Sequence, residues 1–401
     1  MNEERPDPVM TGSHASRGAR STPRVATIAA AHAAHDTYSS FLPPLLPLFI
    51  ERLLLSKAEA GFLAVFLQGP SLLQPLIGHI GDRRDLRALV VLTPSLTAVS
   101  MCLLGVASGY GAVVLLLLAA GISSAMLHAL APVAAGRLSG NRLGFGMGFW
   151  MVGGELGRTL GPIVLVSAVA SLGLAGLPWL MVGGIAASGL LGLGLRGTAP
   201  RPAARGMSVK MDGAWRGMGR FFGPLTGLVA ARAAMMAAFT TFLPVFLHSQ
   251  GVKLWWAGAS LSLLEAAGVL GALCGGAASD RMGRKVILIG SFVATPVLMA
   301  ALVVTTGWGR VVVLPALGFF GLMATPVVMA AVLESFPENR ALANGSYMAL
   351  NFVARSLAVV GVGAMADAFS MRLAFLVCAG CGLLGLPCVL RLPIASRSGA
   401  V

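Results

Sequence analysis

The sequence predicts an all-α polytopic membrane protein with twelve transmembrane helices in two pseudo-symmetric six-helix halves. Hydrophobic residues form 56% of the 401 positions and charged residues only 11%, whereas about 25% of residues are charged in a typical soluble domain. Twelve stretches are long and apolar enough to cross a bilayer. A short polar motif also recurs 198 residues after its first occurrence. Together these observations predict a duplicated bundle of membrane helices.

Each predicted span has about 20 or more mostly apolar residues, the length that a helix needs to cross the hydrocarbon core. No segment alternates with the period of a membrane β-barrel strand. The high glycine content, 52 residues, is typical of helices that approach each other closely in lipid. The predicted spans lie at residues 24–50, 58–80, 88–108, 111–137, 142–170, 174–195, 221–248, 254–278, 286–307, 311–334, 341–367 and 372–391.

These spans divide the chain into five segments. The longest internal polar stretch is the predicted linker between the two halves, and it contains several basic residues and two prolines. The predicted segments are an N-terminal tail at 1–23, a first half at 24–196, a linker at 197–220, a second half at 221–391 and a C-terminal tail at 392–401.

The distribution of basic residues predicts the orientation of the chain. With the N-terminus in the cytoplasm, 21 of the 29 Lys and Arg residues lie in cytoplasmic segments, 5 in outside loops and 3 within spans. An excess of basic residues is typical of cytoplasmic loops. We therefore expect both termini in the cytoplasm. Residues 1–23 are polar and have no apolar core of their own, so we expect no cleaved signal peptide. The net charge of +14 is spread over short loops, which indicates topology rather than a nucleic-acid partner.

The recurring motif begins at Gly78 in the first half and at Gly276 in the second, at the ends of the second and eighth predicted spans. Further matches in near register, such as Phe41-Leu-Pro43 with Phe242-Leu-Pro244, support a duplication. In transporters built from such repeats, the binding site lies between the halves near mid-membrane. We expect the two motif loops to fix one conformation of the protein rather than to contact substrate. The residues assigned this role are Gly78, Asp82, Arg83, Arg87, Asp280, Arg281 and Arg284.

The second copy of the motif resembles the loop that is the hallmark of the major facilitator superfamily. The first copy has Asp85 and Leu86 where that hallmark has Gly and Arg. The fifth span resembles the antiporter signature of the same superfamily, through the residues Gly148, Gly157, Gly161 and Pro162.

Residues 32–165 also resemble the fosmidomycin-resistance family of bacterial exporters. The resemblance rests on His32-x-x-His35-Asp36, on the Ser71 to Gly78 segment and on Gly121-Ile-Ser-Ser124 followed by His128. It implies a multi-pass protein of the bacterial cytoplasmic (inner) membrane that exports a drug or another small compound.

Ionisable groups within membrane spans are costly and usually functional. Asp36 lies about 18 Å along its helix from Arg24, close to mid-membrane, and shares a helix face with His32. The alternative is a hydrogen-bonded polar cluster that packs the first helix. Glu155 can pair with Arg158 one turn later, either as a structural ion pair or in a gating or substrate-binding role. The predicted proton-coupling residues are His32, His35, Asp36, His128, Glu155 and Glu265.

Polar residues in other spans predict a substrate site. Asn344, Tyr347, Asn351 and Arg355 form a polar stripe on the eleventh helix, which we expect to face away from lipid and to line a cavity. Arginine binds anionic groups by paired hydrogen bonds, although Glu265 or Glu155 could neutralise Arg355 when the cavity is empty. The predicted substrate-binding residues are Gln74, Arg158, Arg232, Tyr347, Asn351 and Arg355.

We hypothesise a secondary transporter that exports a small organic compound in exchange for protons by alternating access. One alternative is a uniporter or symporter for an organic anion. Another is a transporter-like sensor or assembly protein that transports nothing. We expect a monomer whose partners are a small molecule, protons and the lipid bilayer.

No enzyme signature is visible, and we expect no cofactor and no metal. Cys378 and Cys381 have the spacing of a metal or redox pair, but no histidine or acid accompanies them. We interpret both as small apolar residues of the last helix.

Overall fold

The structure, a computed structural model, describes residues 13–139, 143–196, 214–336 and 340–394. Within these ranges the chain is helical and contains no strand. The α-helices are α1 (Ser13–Ser39), α2 (Leu42–Leu53), α3 (Lys57–Gln68), α4 (Gln74–Arg83), α5 (Arg87–Leu103), α6 (Tyr110–Leu138), α7 (Leu143–Leu172), α8 (Met181–Gly194), α9 (Ala214–Met236), α10 (Leu243–His248), α11 (Leu254–Met282), α12 (Arg284–Val304), α13 (Trp308–Ser335), α14 (Arg340–Ala368), α15 (Met371–Leu384) and α16 (Leu386–Arg391).

Eleven of the twelve predicted spans correspond, within the described ranges, to helices that are long and apolar enough to cross a membrane. The remaining span, predicted at 24–50, consists of α1 and α2. α1 packs along α7 and also contacts α5, α6 and α8. The all-α membrane fold predicted from the sequence is confirmed.

The first and seventh spans are both interrupted at the repeated Phe-Leu-Pro sequence. α1 ends at Ser39 and α2 begins at Leu42, with Pro43 in its first turn. In the second half, a π-helical turn at Ala237–Thr241 precedes α10, which has Pro244 in its first turn. Proline cannot donate a backbone hydrogen bond, so it starts a helix more readily than it continues one. The duplicated sequence therefore explains why both spans break at equivalent positions.

Small residues allow α7 to lie directly against α1. A Cβ atom placed on Gly153, Gly157 or Gly161 would collide with the backbone of α1, at Ala29, Ala33 and Thr37 respectively. Because these glycines recur every four residues, they share one helix face. The close approach places the polar residues of α1 next to those of α7. The antiporter-type glycines Gly157 and Gly161 thus have a packing role.

Gly148, the first glycine of the antiporter-type pattern, has no such constraint. A Cβ atom added there would have no heavy atom within 4 Å among the described residues. We therefore expect Gly161→Ala to destabilise the protein by about 1–3 kcal/mol through overpacking. Gly148→Ala should be nearly neutral. Thermal unfolding of the two purified variants in detergent tests this difference, and equal midpoints would contradict the packing role.

The two halves are joined by polar contacts at one end of the bundle, which we call the Lys57 end. The Asp367 carboxylate accepts hydrogen bonds from the backbone N–H groups of Lys57 and Ala58, each at 2.9 Å. The Lys57 ammonium lies 3.2 Å from the same carboxylate. Asp367 of the second half therefore caps the N-terminus of α3 in the first half, where the helix dipole favours an anion. Glu51 and His248 form a second pair across the halves, at 3.2 Å.

The opposite end, which we call the Asp85 end, contains the two motif loops. In the second copy, the Arg284 guanidinium contacts Asp280 and Glu334, each at 2.7 Å. Gly283, at φ +92°, allows the sharp turn between α11 and α12. In the first copy, Asp85 replaces this glycine and pairs with Arg87 at 2.8 Å. The Arg87 hydrogen bond holds the pKa of the exposed Asp85 carboxyl below its usual range.

The hydrophobic packing also differs between the two ends. One core cluster includes residues of both halves. A separate cluster belongs to the first half alone and includes Ile28, Leu127 and Trp150. The described structure therefore has halves that are closely joined at the Lys57 end.

We expect Asp367→Asn to loosen the Lys57 end, because the capping charge of α3 and the ion pair are both weakened. The combined effect of about 1 kcal/mol corresponds to a shift of about fivefold in the population of the two facing states. Spin labels at the exposed residues Leu54 and Phe369 would report the change as longer distances across this end. An unchanged distance distribution would contradict the proposal that the Asp367 contacts hold the two halves together at this end.

Candidate functional site

A cavity of about 270 Å³ lies between the two halves. The interrupted first and seventh spans both contribute to its wall, as is common because interrupted membrane helices are tolerated where they line a cavity. The charged or titratable residues of the lining are Asp36, His128, Arg158, Glu265 and Arg355, and its other polar residues are Ser39, Ser40, Gln68, Ser71, Ser124, Thr240 and Thr241. The cavity lies between the halves, where the sequence predicts a binding site, and its occupation by a substrate stays a prediction.

Asp36 is the centre of a buried polar cluster. Its Oδ1 atom lies 2.8 Å from His35 Nδ1, and its Oδ2 atom lies 3.4 Å from His32 Nε2. His128, on α6, approaches Oδ1 to 3.8 Å, and Arg158 approaches Oδ2 to the same distance. Asp36 as a whole is only 4% exposed to solvent. Four cationic or potentially cationic groups thus surround Asp36 and favour its ionised form.

Trp150 and Gly154 on α7 position the His32 ring next to Asp36. The His32 ring stacks on Trp150 with ring centroids 3.6 Å apart, and His32 Nδ1 lies 2.9 Å from the Trp150 carbonyl oxygen. A side chain at Gly154 would collide with the His32 ring. Trp150 was not predicted as a site residue, because a tryptophan in an apolar span usually indicates packing.

Arg158 pairs with Glu155 on the same helix, as predicted from their spacing. Arg158 Nη2 donates a hydrogen bond to Glu155 Oε1. The Arg158 side chain remains 43% exposed, and it lines the cavity. It can therefore contact a bound molecule while it remains paired with Glu155.

Glu265 differs from the other two acids predicted to couple protons. It lines the cavity from α11. Within the described ranges, no hydrogen bond or ion pair of its side chain is observed, whereas Asp36 and Glu155 have close partners. A carboxyl group that is largely removed from water and has no ion-pair partner binds a proton more readily than a paired one. Glu265 thus has the best surroundings for reversible protonation.

The predicted arginines separate into two environments. Arg355 lines the cavity and donates a hydrogen bond from Nη2 to Thr240 Oγ1 at 3.2 Å, while its buried Nε has no partner among the described residues. Arg232 is only 7% exposed, bonds to Thr325 on α13, and is not part of the cavity wall. Substrate contact through Arg355 is therefore geometrically direct, whereas contact through Arg232 would need a rearrangement.

Other predicted site residues do not line the cavity. Tyr347 is only 2% exposed, and its hydroxyl oxygen lies 3.5 Å from Asn351 Nδ2. Gln74 begins α4, while Gln68 and Ser71 line the cavity instead. Their roles in substrate binding stay predictions.

The side chain of Asp82 lies outside the described residues, as do Asn141, Arg142 and Asn339 of the repeat.

Thr240 and Thr241 line the cavity but are not among the predicted substrate-binding residues. They lie in the π-helical turn before Phe242. The Phe-Leu-Pro repeat in the sequence is a signal that could have located the break in the seventh span. A continuous helix would not place two consecutive threonines on the same wall of the cavity. Ser39 and Ser40 occupy the corresponding break in the first half.

The model of the Major Facilitator Superfamily matches residues 28–317 and 266–400. The chain belongs to the major facilitator superfamily. It is accordingly a multi-pass membrane protein and a secondary transporter rather than an enzyme. The resemblance noted in the motif loops is thereby confirmed.

Two relatives match nearly the whole chain. The fosmidomycin resistance protein of Escherichia coli (strain K12) is 23% identical over 401 residues and covers 96% of each chain. An uncharacterized MFS-type transporter of Bacillus subtilis (strain 168) is 22% identical over 382 residues and covers 91% of each chain. The similarity to superfamily members thus extends over both halves.

Solved structures of superfamily transporters have the same fold. The nucleoside transporter NupG gives a TM-score of 0.71 with 16% identity and covers 92% of this chain and 98% of its own. A bacterial homologue of the human lysosomal transporter Spinster, inward-facing and occupied, gives 0.68 with 17% identity and covers 92% and 94%. At these identities the similarity concerns the fold alone.

Proposed function

We propose that this superfamily member exports a small organic compound from the bacterial cytoplasm in exchange for protons. The observation that carries the proposal is the cavity between the halves, where Glu265 has no ion-pair partner among the described residues and two arginines line the wall. The relative named for fosmidomycin resistance supports export of a toxic compound. The basic residues of the loops support cytoplasmic termini, and we propose the bacterial inner membrane as the location.

In this proposal the contacts at the Lys57 end close the outside, so the described state faces the cytoplasm. Substrate enters the cavity from the Asp85 end and contacts Arg158 or Arg355. The halves then rock around the site, and the outside opens when the pairs at Lys57 and His248 break. A proton binds Glu265 from the outside and favours the return, since it removes a negative charge from the cavity.

Inside-out membrane vesicles from an exporter-deficient host provide the test. The vesicles are acidified by respiration, and compounds, including fosmidomycin, are added one at a time while internal pH is followed with a fluorescent dye. We expect at least one compound to release protons from vesicles that contain the transporter, and none from vesicles without it. Export that continues unchanged when the pH gradient is collapsed would contradict proton exchange.

A uniporter or symporter for an organic anion is the second candidate. Arg158 and Arg355 favour it, because both guanidinium groups reach the cavity wall. A uniporter would not respond to a pH gradient of either sign, and a symporter would accumulate substrate in the direction opposite to exchange. The same vesicles therefore distinguish the three mechanisms.

A further inference from the structure

Three side chains from two helices converge beside the cavity, with one possible ligand atom of each within 4.8 Å of the others. His32 and Asp36 share a face of α1, and His128 lies on α6. His32 Nε2 and His128 Nε2 are 3.3 Å apart. Asp36 oxygens lie 3.4 Å from the first nitrogen and 3.8 Å from the second. The three groups could hold a metal ion by their mutual distances.

The hydrogen bonds of the two rings fix which nitrogen carries the proton. His32 Nδ1 lies 2.9 Å from the Trp150 carbonyl oxygen, and His128 Nδ1 lies 2.9 Å from the Ser124 carbonyl oxygen. A carbonyl oxygen only accepts hydrogen bonds, so each Nδ1 is the protonated donor. In the neutral rings, both Nε2 atoms then present lone pairs.

Two lone pairs that face each other at 3.3 Å beside a carboxylate repel one another. The arrangement becomes favourable when a cation lies between them. The ionised side chains of Asp36, Glu155 and Arg158 together carry one negative charge, which also favours an added cation. Arg158 is held by Glu155 and reaches Asp36 only at 3.8 Å, so it leaves the carboxylate available.

The distances suit a metal ion. Zinc bonds to imidazole nitrogen and carboxylate oxygen measure about 2.0–2.2 Å, so neighbouring ligands of a tetrahedral ion are about 3.3–3.6 Å apart. The 3.3 Å between the two Nε2 atoms and the 3.4 Å between His32 Nε2 and Asp36 Oδ2 fall within this range. His128 Nε2 lies 3.8 Å from the other oxygen, Oδ1, and all the ligand atoms lie within 4.8 Å of one another.

The surrounding contacts also resemble those of a metal centre. Metal-binding histidines commonly donate their other ring nitrogen to a carbonyl oxygen, and ligating carboxylates accept hydrogen bonds of their own. Here His32 and His128 donate to carbonyl oxygens, and His35 Nδ1 lies 2.8 Å from Asp36 Oδ1. That contact leaves Asp36 Oδ2 as the oxygen that is free to coordinate.

We propose that His32, Asp36 and His128 bind a divalent transition metal ion of the zinc class. Two imidazoles and one carboxylate are ligands that such ions accept, and they leave a fourth position for water. Because Asp36 and His128 line the cavity, this position is open to it. The ion ties α1 to α6 and presents a positive charge to the bound molecule. The sequence predicted no metal, since His128 lies on another helix and its approach to α1 depends on packing.

The test uses the full-length protein, purified in detergent and treated with a chelator before ZnCl₂ or CoCl₂ is added. We expect about one Zn²⁺ per chain by titration calorimetry, and Co²⁺ absorption bands typical of a tetrahedral site. His128→Asn and Asp36→Asn should each weaken binding at least about tenfold. His79→Asn, which changes a histidine outside the cluster, should bind as the wild type does.

A replacement that retains a ligand distinguishes a lost site from a misfolded protein. His128→Cys should still bind Co²⁺ and add a thiolate charge-transfer band, since cysteine also coordinates these ions. The proposal is overturned if the wild type binds neither ion, if His128→Asn binds as tightly as the wild type, or if His128→Cys shows no thiolate band. Because binding is measured without transport, its failure is distinct from failure of the proposed exchange.

Discussion

Replacement of Glu265 by glutamine is expected to abolish transport driven by a pH gradient while exchange of substrate for substrate continues. The glutamine side chain keeps the size and hydrogen-bonding capacity of the acid, but it cannot bind and release a proton. Since Glu265 lines the cavity and no ion pair of its side chain is described, its neutral replacement should leave the fold intact. Proteoliposomes loaded with unlabelled substrate, with and without an imposed pH gradient, separate the two activities.

Glu334→Gln is the matched control for this experiment. Glu334 contacts Arg284 at the Asp85 end, away from the cavity wall, and Arg284 keeps Asp280 as a second partner. The control should therefore retain transport driven by the gradient. If Glu265→Gln transports as well as the control under a gradient, another residue carries the proton and the assignment is wrong.

Replacement of Arg158 by glutamine is expected to reduce both stability and transport. The change leaves Glu155 without its partner and removes the guanidinium beside Asp36. Breaking a fully buried pair costs about 3–5 kcal/mol, and we expect about 1–3 kcal/mol here because solvent in the cavity screens the charges. Thermal unfolding in detergent and uptake into proteoliposomes measure the two effects.

The double variant Glu155→Gln with Arg158→Gln distinguishes a structural pair from a substrate contact. Removing both charges leaves neither member of the pair as an unpaired charge. The thermal midpoint of unfolding should therefore regain most of the decrease caused by Arg158→Gln alone. Transport should remain low if Arg158 contacts substrate in the cavity. Recovery of both stability and transport would instead indicate that the pair is structural.

The sequence predicted the fold because its strongest signals are local. Span length and hydropathy depend on neighbouring residues along the chain, and the Gly78 and Gly276 motifs are contiguous strings. The Glu155–Arg158 pair was predicted for the same reason, since residues three apart on a helix are neighbours. These features needed no knowledge of how the helices pack.

The composition of the site depends on packing and was predicted only in part. His32 and Asp36 were placed on one face of the first helix, but the approach of His128 depends on the contact between α1 and α6. Arg232 and Arg355 looked alike as buried arginines, yet only the second lines the cavity. The backbone breaks at Phe41 and Phe242 decide which residues line the wall, and a continuous helical period does not locate them.

The central claim is that transport of substrate and movement of protons are coupled through the cavity between the halves. Proteoliposomes that contain the purified protein and an internal pH-sensitive dye test it most directly. A concentration gradient of a compound identified in the vesicle screen is imposed across the membrane, with no pH gradient at the start. The account predicts that protons move in the direction opposite to the compound, and that Glu265→Gln removes this movement. Transport of the compound by the wild type without any proton movement would contradict the account.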